Sequence, residues 1–237
     1  MTDAPRFPPL FEGVALDGAI DPFAKAVSMA QLGCDAGTVP YRLSRDTLDA
    51  AIVLAPEVPL ERAMTMLVVC GIGFSNALGA LAPPEVAVHL HWDGRIRVNG
   101  GLCGKLSTAA ATHDPQSVPD WLVIGLSVPL IPGNPDAPGA MPEQTSLFDE
   151  GCVEVDPAAL LEAWVRHTLV WINTWETSGS GALHEEWRGM ARDIGEQIAD
   201  PAGGGQGTFL GVDEDFGMLL RSDGKTGLRP LSSLLSR

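Results

Sequence analysis

The stretch "NGGLCGKLS", residues 99–107, sets a thiol and an ammonium two positions apart, Cys103 and Lys105. Lys105 is one of only three lysines in the chain. On a glycine-flanked apolar strand it is a catalytic cation, a displaced one, or an ordinary charged residue. Cys103 becomes a nucleophile only as its thiolate, and no histidine stands close in sequence to lower its pKa. A small buried residue is the simpler reading. Arg42 and Arg45 are the only positive charges of "DAGTVPYRLSRDTLD" (35–49). They bind an anion together or form a solvated surface pair. Trp92 and Asp93 lie in "HWDG" (91–94), where Asp-Gly is by itself a turn signal. His113-Asp114 falls in a turn ahead of a strand, where an exposed histidine is the common outcome.

The totals narrow the chemistry. The chain has 237 residues, 45% of them apolar, enough for a large core. Its formal charge is −15, from 30 acidic and 15 basic residues. Such a field repels phosphate backbones and anionic lipid, which argues against nucleic acid and membrane surfaces as partners. Cys34, Cys70, Cys103 and Cys152 are far apart, with no CxxC and no paired histidines, so neither a zinc site nor a disulfide framework is expected. No metal site is expected from the sequence. The N-terminus lacks the basic-then-apolar pattern of a secretory signal, and a cytoplasmic location is the expectation.

The elements that must position these residues read as follows. Residues 1–20 form an irregular, Pro-rich lead-in. Asp21-Pro22 caps a helix to about Leu32, closed by Gly33. A strand covers 49–56, and Pro59 to Leu81 is one long buried helix, apolar on most faces. Strands follow near 86–92, 95–98, 101–110 and 120–130. Residues 131–144, rich in proline and glycine, form a long loop of the kind that covers sites. Asp156-Pro157 opens a helix to about Glu176, whose tryptophans Trp164, Trp171 and Trp175 share a face and belong to the core. A helix over 183–195 precedes a meander of short strands. The fold class expected is α/β (α+β), with one domain over 1–188 and a small β-barrel over 189–237.

Several segments, in order, resemble the biotin/lipoate protein ligase family. "WLVIGLSVP" (121–129) is similar to its V-I-G-I-G-I-N strand, and "QTSLFDEG" (144–151) to its T-S-L-x-x-x-x-G segment. "GTFLGVDEDFGMLL" resembles G-x-x-x-G-I-D-x-x-G-x-L-L of its C-terminal barrel. "VHLHWDGRIRVNGGLCGKL" resembles W-P-N-D followed by K-[LI]-A-G-I-L. The resemblance implies a class II synthetase-like mixed sheet with helices and an SH3-like barrel, without the DNA-binding domain that some members carry. It implies ATP with magnesium, and biotin or lipoate, as ligands. The activity implied is adenylation of the acid and its transfer to the lysine of a biotinyl- or lipoyl-type acceptor domain. A dimer is left open.

This chain departs from that pattern at its charged positions. The G-R-G-R-x-G-R loop is replaced by the shorter, glycine-poor 35–49, with Arg42 and Arg45 its remaining cations. Aligning "GLCG" with K-L-A-G puts Gly101 at the essential lysine and Lys105 just past the family glycine. Positions 101 and 105 share strand parity, so both are expected on one face, yet roughly 13 Å apart. "HWDG" lacks the proline and the intact Asn-Asp pair, although Asp93 keeps a carboxylate near where a magnesium-bound phosphate would lie, or simply makes the Asp-Gly turn. Ser127 stands where the family has glycine. Gly104 and Gly125 are retained, and both would let a ligand lie on bare backbone. The reading favoured is a ligase-fold protein with altered or lost adenylation that keeps a small-carboxylate pocket or a protein-docking face. Three alternatives stand beside it: an active ligase, a scaffold, and an acyltransferase using Cys103 as the related octanoyl-moving enzymes use cysteine.

Overall fold

A computed structural model describes residues 4–132, 143–201 and 205–236. Most of the 131–144 loop therefore lies outside the described residues. Strands β1 (Glu12–Ala15), β2 (Thr38–Leu43), β3 (Thr47–Leu54), β4 (Val88–Leu90), β5 (Arg95–Val98), β6 (Gly101–Ala110) and β7 (Leu122–Pro129) form one mixed sheet. Its order is β1-β2-β3-β7-β6-β5-β4, and only the β1–β2 pair is parallel. The alternation along β3 and β7 decides what covers each face. Ala50, Ile52, Leu122 and Ile124 join the large core under α3 (Thr65–Leu81) and α4 (Pro157–Ser178). Ala51, Val53 and Val123 turn the other way, against Ala26 and Ala30 of α1 (Pro22–Gln31).

α1 starts where expected, with the Asp21 carboxylate accepting from the Phe23 N–H at 3.0 Å. The long apolar helix is instead two, α2 (Leu60–Ala63) and α3, divided at Met64. Leu60–Leu81 is long and apolar enough to cross a membrane, but 72% of its most apolar window is buried inside the protein. It packs as a core helix against the sheet and α4. There Trp164 donates its indole N–H to the Cys70 carbonyl at 3.0 Å, and Trp171 donates to Asn76 at 2.7 Å. The tryptophan face is core, as its spacing suggests, with the Arg62 guanidinium 5.4 Å over the rim residue Trp175.

Two strands went unrecognised in the sequence. β1 is a four-residue edge strand without a buried side chain, and β2 holds Pro40, which cannot donate to a ladder. Pro40 pairs with Val14 of the edge strand, and it is tolerated because the ladder with β3 begins only at Tyr41. α5 (Gly181–Met190) begins earlier than expected and stops five residues short of Gly195. The chain then turns through Asp193, at φ 68°, into a second antiparallel sheet. That sheet runs β11-β10-β9-β8, from β8 (Gln197–Ala199), β9 (Gln206–Val212), β10 (Met218–Ser222) and β11 (Lys225–Arg229). Phe209, Phe216, Met218 and Leu220 fill it, and Trp187 of α5 meets both phenylalanines edge-on, as suits a small SH3-like unit. "LRPLSS" is not all strand: Leu231–Leu234 closes as a 3-10 turn after Pro230.

Candidate functional site

The face that α1 shares is only partly covered. Toward the far end of β3, β7 and β6 it opens into a cleft of about 300 Å³ lined by Asp21, Phe23, Asp49, Lys105, Ser127 and Ser236, among others. Cross-strand register explains the assembly. Arg95, Lys105, Ser127, Asp49 and Arg42 are successive partners across β5, β6, β7, β3 and β2, so their side chains stand in one row on one face. Two strand spacings, about 10 Å, separate the backbones of Lys105 and Asp49.

Within the row, charge is already committed. The Arg42 guanidinium donates to Asp49 Oδ2 at 2.7 Å, Thr47 Oγ1 donates to the same oxygen at 2.7 Å, and Ser127 Oγ to Oδ1 at 2.7 Å. Burial pushes the Asp49 carboxyl up, but the bonds from Ser127, Arg42 and Thr47 and the charge of Arg42 outweigh it, and Asp49 sits below the ordinary carboxylate range. Arg45 is exposed in the β2–β3 turn and lines no part of the cleft. Lys105 is exposed at the cleft and makes no ion pair among the described residues.

A bulge overturns the shared-parity expectation for positions 101 and 105. Ile96 pairs with Gly104 but Arg97 with Leu102, leaving Cys103 as an extra residue. Gly101 is then opposite core-facing Val98, while Lys105 is opposite Arg95, so the two point to opposite faces. The space beside Gly101 is filled: a Cβ there would lie 2.6 Å from the Thr145 methyl, and Thr145 is itself tied to Glu150 by a 2.6 Å hydrogen bond. Gly104 adopts φ +144°, and a Cβ on it would meet the Ser127 carbonyl at 2.6 Å, so close strand approach accounts for it. At Gly125 the bare backbone is covered by the Phe23 ring, 2.6 Å from where a Cβ would stand. Cys103 points into the core and is fully buried, and burial pushes its thiol up to about 12, with Glu150 adding to the effect. No thiolate is available there at neutral pH.

Trp92 and Asp93 are not in this cleft. Trp92 is buried and donates its N–H to the Phe216 carbonyl at 2.7 Å, joining the two sheets. Asp93 takes the Arg95 Nε on both oxygens, at 2.9 and 2.8 Å. They line a second crevice of about 190 Å³ with His91, Asp193, Phe209 and Met218. His113 and Asp114 are exposed, and Asp114 folds its own turn by accepting from Ser117 and the Gln116 N–H.

Among the described residues, the side chains that the resemblance would set against a magnesium nucleotide do not fit one. Arg42 is engaged by Asp49, Arg45 faces solvent, and both Asp93 oxygens are occupied by Arg95. No cluster of three acidic, His or Cys residues that would hold a metal occurs among the described residues. What the described lining offers is one lysine, with Ser107 and Ser236 beside it, the Ser127 hydroxyl committed to Asp49, and Asp49 itself paired with Arg42. That set suits a carboxylate with polar neighbours. Sequence reasoning missed Asp21, Phe23, Asp49, Ser107 and Ser236. For Asp49 a signal existed, a carboxylate heading the apolar run "DAAIVL"; for Ser236, at the far end of the chain from Lys105, none did.

Comparison with known proteins agrees with this architecture. No curated protein matches the chain. A biotin protein ligase-like protein of unknown function from a Silicibacter species is 53% identical, with a TM-score of 0.93, over 99% of this chain and 100% of its own. Biotin protein ligase from Aquifex aeolicus shares 14% identity at a TM-score of 0.72, over 93% of this chain and 96% of its own. The Leishmania major enzyme, solved with biotinyl-5-AMP, shares 16% at 0.58, over 93% and 98%. Residues 194–237 match a domain of unknown function, DUF4444. Residues 7–189 match the model of the Biotin/lipoate A/B protein ligase family, and the chain belongs to that family.

Proposed function

We propose that this chain is a ligase-fold protein whose adenylating chemistry is lost or altered, and that its open cleft holds a small carboxylic acid with Lys105 as the carboxylate's partner. The row Arg42–Asp49–Ser127–Lys105 carries the reading: its guanidinium is paired with Asp49, which leaves Lys105 as the one cation lining the cleft among the described residues. Activation needs two anions, an acid and a triphosphate, held together while charge grows on phosphorus and carbonyl. One lysine balances one carboxylate and leaves the phosphates uncompensated. Thr145 packed on Gly101 supports the same conclusion, because it fills the place that the resemblance assigns to the essential lysine.

Acid-dependent ATP–pyrophosphate exchange, measured with biotin, lipoate and octanoate, is expected to stay at background. Titration calorimetry with the same acids is expected to show binding of at least one. Lys105→Met should weaken it by roughly tenfold or more, the loss of one charge-assisted hydrogen bond. Exchange above background with any of these acids overturns the loss of activation, and absence of heat with all of them removes the carboxylate cleft.

A further inference from the structure

We propose that His91 is a proton-operated clamp between the ligase-fold sheet and the C-terminal sheet: neutral, it fastens them, and on taking up a proton it lets go. His91 follows β4 and is 6% exposed. Its Nδ1 lies 2.6 Å from Asp193 Oδ2, and Arg97 Nε donates to its Nε2 at 2.8 Å. An arginine only donates, so Nε2 must present a lone pair. The ring is therefore neutral, with its one proton on Nδ1 directed at Asp193. A second proton, on Nε2, would set an N–H against the Arg97 N–H and a cation against a guanidinium. The bond from Arg97 would be lost and, although Nδ1–H keeps Asp193, the charged ring would be held out of water until the joint opens.

The clamp sits at the joint. Asp193 belongs to the segment between α5 and β8, which also donates from the Arg192 N–H to the Leu90 carbonyl at 2.8 Å. Arg97 continues to the Gly100 carbonyl at 2.7 Å, so the same bonds reach the turn entering β6. The charged groups around the ring come from three places: Asp193 and Arg192 from the connecting segment, Asp93 from the β4–β5 turn, and Arg95 and Arg97 from β5. His89 of β4 stands opposite Arg97. Burial first, then Arg95, hold the His91 pKa below its ordinary value, against the opposing pull of Asp193 and Asp93. Once the joint opens and the ring is solvated, its pKa returns to about 6.5. Opening thus takes up a proton. Docking is at full strength above about pH 6.5 and weakens below it by as much as about tenfold per pH unit, until the docked ring also titrates.

A glutamine in place of His91 would keep both bonds without titrating, its amide N–H donating to Asp193 and its carbonyl accepting from Arg97, so His91→Gln is the informative variant. Amide hydrogen exchange at Arg192, corrected for intrinsic pH dependence, should rise in the wild type between pH 7.5 and 5.5 and stay level in H91Q. Nitrogen-15 NMR of the wild type should find the His91 proton on Nδ1 at pH 7.5. Equal pH dependence in both proteins, none in the wild type, or the proton on Nε2 overturns the proposal. The NMR measurement stands even if the variant does not fold.

Discussion

Lys105 and Arg42 share one row of one sheet face, but only the lysine has charge to spare among the described residues. The difference is local. Asp49 faces Arg42 across a single strand pair and takes its guanidinium, whereas Lys105 faces Ser127 and Arg95, which carry no negative charge. The same scale explains why the missing lysine is not simply restored. Gly101→Lys would drive its Cβ into the Thr145 methyl, on the core-facing side away from the cleft. The variant is expected to lose about 1–3 kcal/mol by urea denaturation, the cost typical of overpacking, and to gain no pyrophosphate exchange. A variant that is as stable as the wild type and exchanges pyrophosphate would show the position to be open after all.

At the scale of elements, the bulge in β6 decides which residues meet the cleft. The extra residue at Cys103 shifts everything after it by one position, so the thiol enters the core and the ammonium leaves it. Gly104 makes this possible: at φ +144°, with the Ser127 carbonyl 2.6 Å from any Cβ, a side chain is excluded twice over. Gly104→Ala should cost about 1–3 kcal/mol in thermal or urea unfolding, the strain expected at such a backbone position. It should also weaken acid binding, because Lys105 is the next residue. Binding unchanged alongside that destabilisation would separate the bulge from the site. Strand pattern and glycine content were legible along 101–110, but a bulge is a disagreement between two strands, and period-two counting on one strand cannot contain it.

For the whole molecule, the C-terminal unit is tied to the family fold at several points besides His91. Trp92 donates to the Phe216 carbonyl, and the tail returns to β6, where the Ser236 N–H donates to the Thr108 carbonyl at 2.9 Å. Leu231 and Leu235 are buried along that path, and Ser236 reaches the cleft. Trp92→Phe keeps an aromatic ring but leaves the buried Phe216 carbonyl without its donor, a loss of roughly 1–3 kcal/mol. Its calorimetric melt should shift down, with exchange rising first at Gly217 and Phe216. A uniform rise across both sheets would mean that the two unfold as one cooperative unit.

Local chemistry decided much of this from the sequence alone. Asp-Pro starts two helices because proline suits the first helical turn and the aspartate satisfies an orphan N–H. The run of apolar residues over 66–74 demands burial on every side, and the ordered motifs carried the family resemblance through to the second sheet. Register, partner and face belonged to the tertiary structure. Which arginine is neutralised, where Lys105 points, what fills the space beside Gly101 and why Trp92 faces the C-terminal sheet all depend on strands brought together from distant parts of the chain. A hydrogen bond or a close contact is a property of two segments at once, and no reading of one segment contains the other.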